Sequence, residues 1–185
     1  GLNKEVFEQT IYALIERHEI LRTTFIQVHG EPRQRVKSLE ESGFKINHVD
    51  LRKTARKAVA FTELKEQEGN FLFDLQEGPL IRITLVQLED DLFRVLINMH
   101  HIISDGWSKS VLEREYDAIY EALLEEKPII LRPLQFQYKD YSAWQKTMLE
   151  DGYWDVHKNY WHQKLSPELP VINLPLDHPR PEERI

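Results

Sequence analysis

"GPLIRITLVQLEDDLFRVLINMHH", Gly78 to His101, carries the strongest β signal in the chain. Two apolar, β-branched runs flank Glu89-Asp90-Asp91, which reads as a hairpin turn. Side chains alternate along a strand, so Phe93, Val95, Ile97, Met99 and His101 share one face of the second run. Leu92, Arg94, Leu96, Asn98 and His100 share the other, and the two adjacent histidines are expected to point to opposite sides. The run continues into "IISDGWSKS", Ile102 to Ser110. After Gly106, Trp107, Val111, Leu112, Tyr116, Ile119, Tyr120, Leu123 and Leu124 mark a long amphipathic helix, which Pro128 ends.

Upstream, Leu2, Val6, Phe7, Ile11, Leu14, Ile15 and His18 fall on one helical face, with Asn3 as N-cap, predicting a helix from Lys4 to about Glu19. "LRTTFIQVHG" reads as a strand with "PRQRVKS" as its hairpin partner, and "FKINHVD" as a further strand. Thr54 to Glu68 is helical in propensity, with Ala58, Phe61 and Leu64 on one side. Its start is basic (Arg52, Lys53, Arg56, Lys57) and reads as a solvated helix start, the alternative being a patch that steers an acidic partner. Downstream, Tyr138 to Leu149 and Tyr153 to Leu165 are aromatic-rich helices. Alternating strands and helices, with hairpin pairing present, give an α/β or α+β class with a mixed sheet.

The 185 residues suit one domain or a piece of a larger one, and 41% hydrophobic residues suffice for a core. A net charge of −7 argues against nucleic acid, which wants a basic footprint. No apolar run is long enough to span a bilayer, and no signal-peptide pattern is present. The absence of cysteine excludes disulfides, thiol catalysis and thiolate metal sites, and fits a reducing, cytoplasmic setting. The opening "GLNKEVFEQT" lies inside helical periodicity and the close "LPLDHPRPEERI" is a proline-rich connector, so an excised part of a longer polypeptide is expected.

Three readings compete for His100 and His101. Opposite-facing histidines with only Asp105 nearby do not make the three- or four-ligand set that zinc takes. The plain structural reading is a packed histidine at a strand end, with Asp105 as N-cap of the next helix. The chemical reading is a general base on a loop, near the positive end of a helix that eases developing negative charge, with Gly106 allowing close backbone approach or an unusual φ. Ser104 lacks a nucleophile-elbow setting. A base without a protein nucleophile fits direct transfer, in which it takes a proton from an amine or hydroxyl attacking an activated acyl group. The residues alone leave the last two readings open.

"HHIISDG" resembles the His-His-x-x-x-Asp-Gly signature of the condensation domains of non-ribosomal peptide synthetases, in the chloramphenicol acetyltransferase-like superfamily. "RHEILRTTF" (Arg17 to Phe25), "FDLQEGPLIR" (Phe73 to Arg82), "YKDYSAW" (Tyr138 to Trp144) and "YWHQKL" followed by "LPLDHPRP" resemble further motifs of that family, in family order over nearly the whole chain. The family's earliest motif and its C-terminal half have no counterpart. The resemblance therefore implies a chloramphenicol acetyltransferase-like lobe, one half of a two-lobed V: residues 1–165 as an N-terminal lobe incomplete at its start, and 166–185 as a connector toward the C-terminal lobe.

The activity implied is amide-bond formation between an aminoacyl or peptidyl thioester donor and an aminoacyl amine acceptor, both tethered to carrier domains. "HHIISDGWS" looks most like the type joining an L-configured donor to an L-configured acceptor. By position, the resemblance makes His101 the catalytic histidine and His100 a structural one. Asp105 matches an aspartate that holds the loop through a salt bridge to arginine, with Arg22 as candidate partner, and Gly106 matches a glycine that lets substrate approach. No cofactor or metal is implied; the phosphopantetheine arm belongs to the carriers. The implied partners are upstream and downstream peptidyl carrier domains, an adenylation domain in the same polypeptide and the C-terminal lobe. The fragment alone is expected to be inactive. The rivals are a superfamily acyltransferase acting on a free small molecule and a non-catalytic docking lobe. Tyr138, Asp140 and Trp144 read as aromatic packing with a capping aspartate, Tyr116 and Tyr120 as core, and His18 and His29 as surface or packing residues.

Overall fold

A computed structural model describes residues 1–166 and 175–178. The elements run α1 (Lys4–Arg17), a 3₁₀ turn (Glu19–Arg22), β1 (Thr23–Val28), β2 (Glu31–Val36), β3 (Ile46–Asp50), α2 (Lys57–Gly69), β4 (Ile81–Gln87), β5 (Phe93–Met99), α3 (Gly106–Leu124), α4 (Tyr138–Glu150) and α5 (Asp155–Leu165). This is the mixed α/β architecture expected. The chain forms two compact units, Gly1–Tyr141 and Ser142–Ile185.

Within the first unit, Asn3 caps α1 by accepting the Val6 N–H at 3.2 Å. Val6, Phe7, Ile11, Leu14 and Ile15 make its buried stripe, as the periodicity requires. The helix stops at Arg17 because His18 turns extended. β1 and β2 pair as an antiparallel hairpin. His29 and Gly30, at φ 53° and 81°, form its two-residue turn, both in the left-handed region that such a turn demands. His29 is thus a turn residue rather than a packing one.

The second sheet has the order β3-β4-β5, with β3 parallel and β4–β5 antiparallel, so it is mixed. The central strand β4 has two different faces. Ile81, Ile83 and Leu85 enter the main core with Phe7, Ile11, Ile15 and Phe44, and Leu112, Tyr116 and Tyr120 of α3 pack against it. Tyr116 and Tyr120 stack at 5.6 Å, and Tyr116 meets Phe7 edge-on, which bears out their reading as core. α1 and α3 therefore cover one face of the sheet.

On the opposite face Arg82 and Thr84 meet α2 through a single carboxylate. Arg82 donates to both oxygens of Glu68, at 2.9 and 3.0 Å, and the Thr84 hydroxyl donates to one of them at 3.0 Å. Asn98 of β5 donates to the Glu68 backbone carbonyl. Glu68 is the one buried residue of α2, while Ala58 is exposed and Phe61 and Leu64 are half-buried. The apolar stripe expected of α2 is thus weak, and a salt bridge anchors the helix in its place. The Arg82 guanidinium holds the Glu68 carboxyl below its ordinary range, against an opposing push from burial, and Thr84 adds to the lowering.

A second long-range cluster ties α1 to α3. Glu115 accepts from Arg17 at 2.9 and 3.1 Å and lies 2.7 Å from His18 Nε2. Burial pushes its carboxyl up, but Arg17 and His18 outweigh that and hold it low. His18 is therefore part of a partly buried ion-pair cluster, which its reading as a surface or packing residue does not include. Of the basic run before α2, Arg52 is held by Asp50 and Asp90. At the start of α4, Asp140 accepts the Gln137 N–H at 2.8 Å, as a capping aspartate should, and Tyr138, half exposed, meets the Tyr141 ring at 5.8 Å.

In the second unit, Gly152 takes φ +72° at the turn into α5, where Asp155 donates its N–H to the Gly152 carbonyl at 3.0 Å. Of the expected connector 166–185, residues 167–174 and 179–185 lie outside the described residues.

Two outcomes follow from the α2 anchor. Arg82→Met leaves the Glu68 carboxylate half-desolvated without a counter-charge, and should lower stability by about 2–3 kcal/mol in urea unfolding. Because the Glu68 carboxyl is depressed in the folded state, its contribution is full above the ordinary glutamate range and is lost as pH falls through the lower folded value. Glu68→Gln should therefore be less stable than wild type at neutral pH, and the gap should close as pH falls below about 4.

Candidate functional site

The histidine pair lies where β5 ends. The ladder stops at Met99, so strand alternation does not extend through both histidines. A tight turn separates them instead. The His100 N–H donates to the Leu80 carbonyl beside β4 at 3.0 Å, and its carbonyl accepts the Ile103 N–H at 3.1 Å. Its ring closes the turn, with Nδ1 accepting the Ile102 N–H at 3.0 Å. That bond makes Nδ1 an acceptor and places the ring proton of the neutral form on Nε2. Ile103, buried in the main core, anchors the far side of the turn. His101 has none of these ties and is exposed. The opposite faces expected from alternation presuppose a strand through both histidines, but the strand ends before them; the two differ instead in how the turn engages them.

Asp105 is the N-cap of α3. Its Oδ1 accepts the Ser108 N–H at 2.7 Å and the Ser108 hydroxyl at 2.6 Å. The Ser108 hydroxyl and N–H hold its carboxyl below the ordinary aspartate range; slight burial opposes, and the Trp107 N–H and the nearby His101 lower it further. Arg22 is not its partner. The Arg22 guanidinium donates to the carbonyls of Lys37 and Glu16, and its Nε is buried with no hydrogen bond. The expected Asp105–Arg22 ion pair is thus not formed. Arg22 closes the 3₁₀ turn before β1, where backbone carbonyls are within reach, while Asp105 is engaged by its own helix.

Gly106 starts α3 as an ordinary helical residue. Its φ is not in the left-handed region, so the unusual φ considered for it does not occur, and a Cβ there would meet no atom within 4 Å. Trp107 beside it is 80% exposed. The Asp105 carboxylate already sits on the first-turn N–H groups, so this helix end is a poor place for a second negative charge. The easing of an oxyanion expected there is not what this geometry favours.

Next to the loop, a cleft of about 850 Å³ opens between β5, α1 and α3, with Val95, Ile97 and Leu112 on its walls and Ser104, Lys109 and Glu113 also lining it. Val95 and Ile97 are 37% and 55% exposed on that face. Sequence reasoning missed Ser108 as the partner of Asp105 and Phe73 as the neighbour of His100, whose rings meet edge-on at 6.1 Å. The Asp-x-x-Ser spacing at Asp105 was a readable signal for the first; no local signal existed for the second.

The model of the condensation domain matches residues 1–185. The malpibaldin synthetase of Mortierella alpina is 41% identical over 184 residues, which is 99% of this chain and 3% of that protein. Tyrocidine synthase 3 of Brevibacillus parabrevis is 37% identical over 187 residues, 97% of this chain and 3% of that protein. The chain thus spans a few hundredths of the length of the curated relatives it matches. Among solved structures, the epimerization domain from the third module of tyrocidine synthetase B superposes with a TM-score of 0.82 at 25% identity, over 97% of this chain and 40% of that one. A family match over the full length and a shared fold, with a histidine–aspartate loop at the end of β5, lead to one assignment: this chain belongs to the condensation-domain family.

Proposed function

We propose that this chain supplies the proton-handling loop of a peptide-bond-forming condensation domain, with His101 as the catalytic residue. The observation that carries the reading is the contrast between the two histidines. His100 is consumed by the turn, whereas His101 is exposed on a loop fastened on both sides. An imidazole so placed can act as a general base.

In the reaction, the acceptor amine nitrogen attacks the donor thioester carbonyl. The C–N bond forms, the C–S bond breaks, and His101 takes the ammonium proton and returns it to the departing thiolate. The thioester is already activated, so the chemistry needs orientation and proton transfer but no metal, nucleotide or covalent enzyme intermediate. Donor and acceptor arrive on the phosphopantetheine arms of upstream and downstream carrier domains, and an adenylation domain of the same polypeptide supplies the aminoacyl groups. The cleft beside the loop gives apolar walls for the tethered chains. "HHIISDGWS" supports the type that joins an L-donor to an L-acceptor. His100 and Asp105 support the loop, and Arg22 supports the neighbouring hairpin rather than the loop itself.

Replacing His101 with alanine in the full-length protein should lower single-turnover transfer between two loaded carriers by about 10²–10⁴-fold. A rate equal to wild type would refute base catalysis. Asp105→Ala removes the cap on the Ser108 N–H, and should lower thermal stability and loosen the loop, as read by hydrogen exchange of residues 102–109. Unchanged protection there together with a lost rate would assign Asp105 a direct chemical role instead.

A further inference from the structure

We infer that Phe73 is a positioning residue for His101, acting through an aromatic relay that begins at the Glu68–Arg82 pair and ends on the ring of His100. The Arg82 guanidinium lies 4.0 Å over the centre of the Phe71 ring. Phe71 meets Phe73 edge-on, at 5.1 Å and 77°. Phe73 meets the His100 ring edge-on in turn, at 6.1 Å and 86°. The cation over the Phe71 face and the two edge-to-face contacts each favour one orientation of the ring concerned.

The last ring in the series is the one whose orientation matters. His100 Nδ1 holds the Ile102 N–H only while the imidazole plane stays where Phe73 sets it. Ile102 follows His101 directly, so that bond fixes the peptide plane on the far side of the catalytic histidine. On the near side, the His100 carbonyl accepts the Ile103 N–H, and one peptide earlier the His100 N–H is held by Leu80. The start of the relay is equally constrained. Glu68 is fixed by Arg82 and Thr84, and Asn98, two residues before His100, is tied to the Glu68 carbonyl. The last turn of α2 and the end of β5 are therefore one unit, and the relay spans from it to the loop. The aromatic residues do not touch the reacting atoms; they set the peptide that carries His101.

The inference rests on the proposed role of His101, and the experiment separates the two. Single-turnover transfer is measured in the full-length protein between loaded carriers, with the acceptor carrier varied, for Phe73→Leu, Phe73→Tyr and Phe71→Leu, each alone and with His101→Ala. Phe73→Leu keeps the apolar bulk but loses the ring edge. It should slow transfer about tenfold at saturating acceptor, because sub-ångström misplacement acts on the rate constant, while the half-saturating concentration stays unchanged. Phe73→Tyr should restore the rate. Phe71, 41% exposed, can be shortened with little risk to folding, and Phe71→Leu should show a smaller loss in the same direction. Added to His101→Ala, none of these should slow the residual reaction further.

A Phe73→Leu protein with wild-type rate beside a crippled His101→Ala protein overturns the relay and leaves the reading of His101 standing. Equal slowing in both backgrounds also overturns it, since the effect then bypasses His101. A wild-type rate for His101→Ala overturns the catalytic reading, and the relay with it.

Discussion

The fold depends on one strand having two incompatible faces. β4 sends Ile81, Ile83 and Leu85 into the α1/α3 core and Arg82 and Thr84 toward α2. The apolar face is favoured by burial without direction. The polar face cannot be buried unless each group finds a partner, because a desolvated guanidinium or carboxylate alone is strongly unfavourable. Glu68 answers that constraint with both oxygens engaged, and so fixes the register of α2 against the sheet more narrowly than apolar packing would. Leu80, the residue before β4, holds the His100 N–H, so the site inherits its position from the same strand.

Much of this was legible because it is local. The hairpin followed from alternation around Glu89-Asp90-Asp91, α1 from a 3.6-residue stripe with Asn3 in front, and α3 from the stripe after Asp105. The illegible parts are pairings across long sequence separations. Nothing near Glu68 tells that Arg82 and Thr84 face it, and a glutamate in a charged helix reads as solvated. Likewise, Glu115 lies far along the chain from Arg17 and His18, yet the cluster they form joins the two helices. His29 reads as a surface residue and is exposed; its positive φ follows only from its place in the two-residue turn between paired strands.

The site shows the same division. Asp105 was readable as an N-cap from its place before a helical stripe, and the structure bears out that plain reading. Its expected partnership with Arg22 required geometry that the chain does not adopt, because Ser108 lies in the same turn and Arg22 is drawn to carbonyls next to it. A short-range capping bond involves little ordering beyond the helix itself, whereas a surface ion pair between distant segments must immobilise two long side chains.

This arrangement suits a reaction without a protein nucleophile. When the enzyme forms a covalent intermediate, the nucleophile positions itself through the bond it makes. When two substrates react directly with each other, the base must wait at a fixed place, and its position is set wholly by the loop that carries it. Here that loop is held by backbone bonds to Leu80 and Ile103, by the His100 ring on Ile102 and by the Asp105 cap, all within the first compact unit. His101 is left as the one member of the histidine pair with no structural tie among those contacts. A side chain free of structural duty on a loop fastened by these bonds meets the need of the proposed proton transfer.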